Sequence, residues 1–234
     1  IQTSLVGSEM CIRDRSSPHS KPDSPLGAWR RAGCPLPGPD AHAPFMPYGR
    51  TSAAEARASG RPGEDFREAA VLIGVEPDGR IALIERAPGG GVHGGQMALP
   101  GGALEPGETL LQCALREWRE ELGLSAVVEP LSEPVALTEV HVVPSRFIVR
   151  PHVAAVRLAE VLDFDVTEVA AVHRLRIEDL LDQAFQLTQR VRVGGQSGFT
   201  IEAPGFAFPD MPFIWGATAM MLGELRAIMS VHGG

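Results

Sequence analysis

A mixed α/β (α+β) domain is expected over residues 66–234, with helices packed on a β-sheet. Two observations carry this. Short apolar runs separated by turn residues recur through the second half of the chain, as strands do. Two segments instead repeat their apolar residues at helical spacing, Thr109 to Leu122 and Ile214 to Met229. The composition agrees: 44% hydrophobic and 21% charged residues are ordinary for a globular chain.

Ala69–Val75 reads as a buried strand, and Glu76-Pro77-Asp78-Gly79 as a turn. Ile81–Glu85 then forms a second strand, giving a hairpin. A Gly-rich loop follows from Ala87 to Gly95, then Gln96 to Leu99 and Pro100-Gly101-Gly102. In the first helix Leu110, Leu111, Ala114, Leu115, Trp118 and Leu122 share one side. Thr109 suits its N-cap and Gly123 its C-terminal stop. Strands are expected at Val135–Val140, Phe147–Val156 and Val169–Leu175, then a short helix over Ile177–Phe185. Arg190–Val193 and Phe199–Glu202 flank Gly194 to Gly198 as a hairpin. Trp118, Trp215, Cys113, Met220, Met221 and Met229 are expected in the core.

Residues 1–65 differ from the rest. Nine of the twenty prolines fall there, and no apolar periodicity lasts. This stretch is expected to be disordered or loosely packed, so that a chain begun near Gly63 still folds. Its opening, Ile1 to Arg15, resembles translated library-adapter sequence, lacks the layout of a secretory signal and is set aside from the fold reading.

Charge and composition remove several functions. The formal net charge is −8, and no basic stripe or base-reading motif appears, so no nucleic-acid partner is expected. The single lysine, Lys21, lies among Pro and Ser, which excludes a P-loop. No apolar run is long enough to span a bilayer, so no membrane partner is expected. The three cysteines are scattered, which argues against a disulfide framework and fits a reducing, cytoplasmic setting.

The first helix carries an unfavourable acid cluster. Glu117, Glu120 and Glu121 stand at i, i+3 and i+4, with Glu105 and Glu108 just before the helix. Like charges at that spacing cost about 0.2–0.5 kcal/mol per pair. A carboxylate face behind a Gly-rich loop suits a hard divalent cation, which takes oxygen ligands and bridges to substrate phosphates.

The whole stretch fits one pattern. Gly102 is followed after five residues by Glu108, and after seven more by Arg116-Glu117-Trp118-Arg119-Glu120-Glu121-Leu122-Gly123-Leu124. This resembles the Nudix box at each fixed position. The resemblance implies a Nudix hydrolase: a mixed β-sheet sandwiched between helices, cleaving the diphosphate linkage of a nucleoside-diphosphate derivative with Mg²⁺ or Mn²⁺. It implies Glu117 and Glu121 as principal metal ligands, with the backbone carbonyl near Gly102 beside them. Glu120 would be a further ligand or would orient the attacking water, and is the first choice of general base. Glu139, Glu160 and Glu168 are candidates outside the box. Arg116 would pair with Glu108 and fix the loop against the helix. Many members of the family are dimers, so a homodimer is the matching expectation.

The segment before the box is similar to the coenzyme A pyrophosphatase subfamily, through Leu83, Arg86, Gly95 and Pro100-Gly101-Gly102. Ile84, Ala87, Gly91 and Leu99 depart from it, and Gly91 stands where a basic residue is usual. Glu168–Val172 and Phe213–Ala219 are similar to later segments of the same subfamily. The resemblance implies coenzyme A or acyl-coenzyme A as substrate, cleaved to adenosine 3′,5′-bisphosphate and (acyl-)phosphopantetheine. Another nucleotide (ADP-ribose, NADH or a dinucleoside polyphosphate) and a non-catalytic sensing module are the alternatives. Arg86, His93 and Gln96 are the candidate substrate contacts.

Overall fold

The computed structural model describes residues 34–47, 53–59, 66–88, 93–123, 126–128, 133–193 and 198–232. The expectations for Ile1–Arg15, Lys21, the loop residues 89–92, Leu124 and the turn residues 194–197 lie outside them.

The architecture is built on one parallel strand pair. β1 (Arg67–Val75) runs beside β8 (Phe147–Arg157) in register from Arg67↔Phe147 to Val75↔Ala155. Around them lie β2 (Arg80–Arg86), β3 (Met97–Ala98), β4 (Gly101–Ala103), β5 (Val127–Val128), β6 (Val135–Ala136), β7 (Val140–Val142) and β9 (Val169–Arg176). The path is β3-β2-β1-β8-β5, with β4 on β1, β6 and β7 on β8, and β9 on β2. β10 (Gln186–Val193), β11 (Phe199–Phe206) and β12 (Ile214–Trp215) form a second, three-stranded sheet. The anticipated β1–β2 hairpin meets only at Val75↔Ile81. Beyond that pair β2 turns away to β9, and β4 takes the place beside β1 through Ala69↔Ala103, Ala70↔Gly102 and Val71↔Gly101.

Helices cover both faces, which is why β1 reads as an unbroken apolar run. On one face α3 (Leu110–Leu122) packs Cys113, Ala114, Trp118 and Leu122 against Ala70, Leu72, Ala82 and Ile84. On the other, α5 (Gly216–His232) packs Leu222, Leu225 and Ile228 with Val71, Ile73, Leu83 and Val153. Ile214 and Trp215 belong to a strand before α5 rather than to its first turn, and Trp215 is only partly buried. The expected Ile177–Phe185 helix is divided into α4 (Ile177–Leu181) and a 3₁₀ turn at Gln183–Phe185. No helix among the described residues is long and apolar enough to cross a membrane.

Part of the Pro-rich stretch corrects the expectation of loose packing. α1 (Pro39–His42) and the 3₁₀ turn after it lie on α5. Phe45 is 3% exposed, stacks on Phe206 at 4.6 Å and fills the space left by Gly223. The fully buried Glu224 accepts from the Gly38 amide (3.1 Å), Thr138 Oγ1 (2.6 Å) and the Thr138 amide (3.0 Å), and pairs with His42 Nε2 at 3.2 Å. Burial raises the Glu224 carboxyl, but its partners His42 and Thr138 outweigh that and hold it below the usual value. α2 (Ala53–Ser59) is tied to the sheet by Arg57, which bonds Glu68 and Glu139. Cys113 is a free, buried thiol, as expected of a small core residue.

Phe45→Ala is therefore expected to lower the unfolding free energy by about 3–5 kcal/mol, read by urea denaturation. A chain begun at Gly63 is expected to unfold at lower urea than the full chain; equal midpoints for both variants and the full chain would contradict this packing.

Candidate functional site

The acidic helix is positioned by its caps and by glycines beneath it. Thr109 Oγ1 accepts from the Gln112 amide at 3.2 Å, and Gln112 Oε1 accepts from the Thr109 amide at 2.8 Å. This reciprocal cap is worth about 1 kcal/mol and fixes where α3 begins. Gly123 ends it with φ +85°, where a Cβ would overlap the Asp163 carbonyl oxygen.

Glu121 and Glu117, one turn apart, both turn toward the strand that precedes the helix. The Gly101 amide donates to Glu121 Oε2 at 2.9 Å. The carboxylate of Glu117 lies against the α-carbon of Gly102, where a Cβ would overlap Glu117 Oε1 and stand 2.7 Å from Oε2. Gly102 thus matters here for the side chain it lacks. Its carbonyl, expected beside the metal ligands, faces the Cys113 thiol at 3.5 Å.

Arg116 organises the acids on the outer side. Its Nε and Nη2 donate to the two oxygens of Glu108 (2.7 and 3.2 Å), a paired geometry that locks the loop to the helix. Its Nη1 donates to Glu117 Oε1 and Glu120 Oε2, both at 2.9 Å, and Nη2 to the Ala103 carbonyl at 3.1 Å. Glu108 also accepts from the Glu105 amide at 3.0 Å. The Arg116 bonds hold the Glu108 carboxyl below its usual value. Glu120 stands apart from the pair, with its side chain 56% exposed.

The substrate candidates gather at the end of β2. The Gly95 amide donates to the Arg86 carbonyl and the Arg86 amide to the Gln96 carbonyl, at 2.8 and 3.1 Å. His93 Nδ1 hydrogen-bonds Gln96 Oε1 at 3.2 Å, and Arg86 Nη1 lies 3.6 Å from Glu121 Oε1. Arg86 therefore adjoins the carboxylates, while His93 and Gln96 are bonded to each other. Among the outside carboxylates, Glu139 is held by Arg57 and Arg150. Glu168 is exposed, its charge acts on both Glu117 and Glu121, and its carbonyl accepts from the Ala87 amide at 2.8 Å. A cleft of about 460 Å³ lies elsewhere, between β9 and Phe208–Met211, and no box carboxylate lines it.

Sequence reasoning missed the Gly101 amide, and it named Glu168 as a candidate without its nearness to the box carboxylates. A glycine beside the box glycine is a signal for the first; the second depends on β9 returning to β2.

No three acidic, histidine or cysteine side chains among the described residues converge as a preformed metal cage. The buried pair still suits a hard cation. Magnesium commonly keeps several waters and is held through one or two carboxylates plus substrate phosphate. Burial pushes the Glu121 carboxyl from 4.5 up to about 7; the Gly101 amide and Arg86 oppose this, while Glu117 and Glu168 add to it. Burial raises Glu117 as well, against the pull of Arg116. Two carboxylates that resist ionising side by side are relieved by a cation.

The Glu121 value gives a measurable pH dependence. Between about 4.5 and 7 the folded, metal-free protein holds a proton there that the unfolded chain has released. The stabilisation is complete below that window and is lost as the pH rises through it. Urea midpoints of the metal-free protein should fall across this range relative to Glu121→Gln, which cannot titrate. Parallel profiles for the two would contradict the buried carboxyl.

Comparisons with known proteins identify the family. Residues 64–192, more than half of the chain, match the NUDIX domain profile. The Nudix hydrolase NudL of Salmonella paratyphi B is 31% identical over 181 residues, covering 70% of this chain and 84% of its own. Nudix hydrolase 3 of Caenorhabditis elegans is 30% identical over 172 residues, covering 68% of this chain and 70% of its own. The NUDIX domain of Shewanella oneidensis NrtR, solved with ADP-ribose, aligns with a TM-score of 0.46 and 15% identity over 76% of this chain and 98% of its own. The profile match, spanning the box, its helix and the sheet beneath them, shows that the chain belongs to the Nudix family of hydrolases, which act on nucleoside-diphosphate derivatives.

Proposed function

We propose that the chain hydrolyses the diphosphate linkage of coenzyme A or an acyl-coenzyme A to adenosine 3′,5′-bisphosphate and (acyl-)phosphopantetheine. The observation that carries this substrate is the run from Leu83 to Gly102. It resembles the coenzyme A pyrophosphatases, and its Arg86 borders Glu121. Glu168–Val172 and Phe213–Ala219 support the same reading. Gly91, the main departure, lies outside the described residues.

Glu117 and Glu121 would hold Mg²⁺ or Mn²⁺, the oxygen-only donors matching either ion. When bound, the cation supplies Lewis acidity and neutralises charge on the diphosphate oxygens. The chain does the rest by positioning. Arg86 is close enough to leave Glu121 for a substrate phosphate. Arg116 keeps Glu117 aimed at Gly102, and Glu120 extends the acidic face toward solvent. Gly95 and Gln96 are bonded to the Arg86 backbone at the end of β2, and His93 and Gln96 would border the substrate. Glu168 is the proposed general base, because its charge reaches both box carboxylates and no arginine among its described contacts ties it down. Glu120, the alternative base, is bonded to Arg116.

With Mg²⁺ and coenzyme A, adenosine 3′,5′-bisphosphate should appear, as measured by chromatography with mass detection. Selective cleavage of ADP-ribose, NADH or a dinucleoside polyphosphate instead would keep the family and discard this substrate. Glu121→Gln should lower kcat by about 10³-fold or more with the fold retained, and activity retained at saturating Mg²⁺ would refute its role. Glu168→Gln should cost about 10²–10⁴-fold in kcat. A larger loss in Glu120→Gln than in Glu168→Gln would move the base to Glu120.

A further inference from the structure

The box helix sits on the sheet with no slack at one point away from its carboxylates. Trp118 lies between Glu117 and Glu121 in sequence, is fully buried, and points to the sheet rather than to the site. Its indole Nε1–H donates to the Ala126 carbonyl at 3.0 Å, which fixes the ring's orientation. The six-membered part of the ring rests on Gly74 of β1. A Cβ there would overlap Cη2 and stand 2.7 Å from Cζ3 and 3.0 Å from Cζ2. A side chain at residue 74 requires the indole, or the helix that carries it, to shift within a buried cluster that also holds Leu72, Ile84, Leu122 and Val156. Gly74 is also four residues along β1 from Ala70, which pairs with Gly102. One strand therefore seats the tryptophan and carries the partner of the backbone that meets the carboxylates.

We propose that Gly74 and Trp118 are a positioning pair: together they set the height and rotation of the helix, and so the reach of Glu117 and Glu121 to Gly102 and Gly101. Neither residue touches substrate or metal. The inference rests on the assignment of those two glutamates as the metal-holding pair. A shift of about 1 Å at the reacting groups costs on the order of 10²-fold in rate, so a methyl group on β1 acts at a distance through the helix.

The test uses the full chain and three variants: Gly74→Ala, Trp118→Phe and the two combined. Direct Mn²⁺ binding is measured by calorimetry, with the Gly101 amide proton shift as a readout of its bond to Glu121 and with kcat and KM measured separately. Gly74→Ala should weaken Mn²⁺ binding at least about tenfold, move the Gly101 amide shift and lower kcat by up to about 10²-fold, with KM changing less. The smaller ring of Trp118→Phe makes room for the methyl, so the combined variant should recover most of the affinity and the wild-type amide shift. A folded Gly74→Ala with unchanged affinity and amide shift overturns the pair, as does a loss that Trp118→Phe does not relieve. If Gly74→Ala does not fold, the combined variant decides: wild-type affinity supports the pair, while weak binding or failure to fold overturns it. Glu121→Gln serves as the control for the underlying assignment. Undiminished Mn²⁺ binding there refutes the metal site itself, whatever Gly74→Ala does.

Discussion

The contact between the Glu121 carboxylate and the Gly101 amide is the interaction on which the site depends. It joins the acidic helix to the strand that precedes it, and it is possible only because the backbone there approaches closely. Gly101 lies flush against Ala70 and Val71, and Gly102 lies under Glu117. A side chain at Gly101 would strike β1, and one at Gly102 would displace the Glu117 carboxylate. The capping of α3 by Thr109 and Gly123 then sets which of its residues reach that strand. Local sequence, helix limits and helix height thus converge on the placement of two carboxylates.

Those carboxylates are costly to the metal-free fold. Glu121 is buried and Glu117 mostly so, and neither has a full partner: Arg116 serves Glu108 and Glu120 as well as Glu117, while Arg86 stands at 3.6 Å from Glu121. Buried charge with incomplete pairing is expensive. A protein of net charge −8 that acts on an anionic diphosphate needs a local inversion of its field. Arg86 and a cation on the Glu117–Glu121 pair would supply it in the one place where the backbone holds the acids ready.

Much of this was legible in the residues. The box helix, both its caps and the burial of β1 follow from spacing and apolar pattern, and the Arg116–Glu108 pair follows from the resemblance to the box; each is local in sequence. What was not legible depends on distant pairing. The Val75–Ile81 hairpin opens because β4 takes that edge of β1 beyond the first pair, which no local signal reports. Phe45 and His42 sit among prolines and looked like tail, yet they complete the core through Phe206 and Glu224, far along the chain. Gly74 falls inside the apolar run Ala69–Val75, and only the packing of Trp118 on it gives it a role. The contact of the Gly102 carbonyl with the Cys113 thiol likewise forms only when β4 lies beside the helix.

A divalent cation is proposed to bind at the meeting of Glu117, Glu121 and the Gly101–Gly102 backbone. Paramagnetic broadening by Mn²⁺ in the amide spectrum of the full chain tests it most directly. The account predicts that the amides of Gly101 and Gly102 and those of residues 117–121 broaden first, at the lowest Mn²⁺ added, while those of residues 208–211 beside the separate cleft stay sharp. First broadening at that cleft, or uniform broadening with no preference for the box, would contradict it.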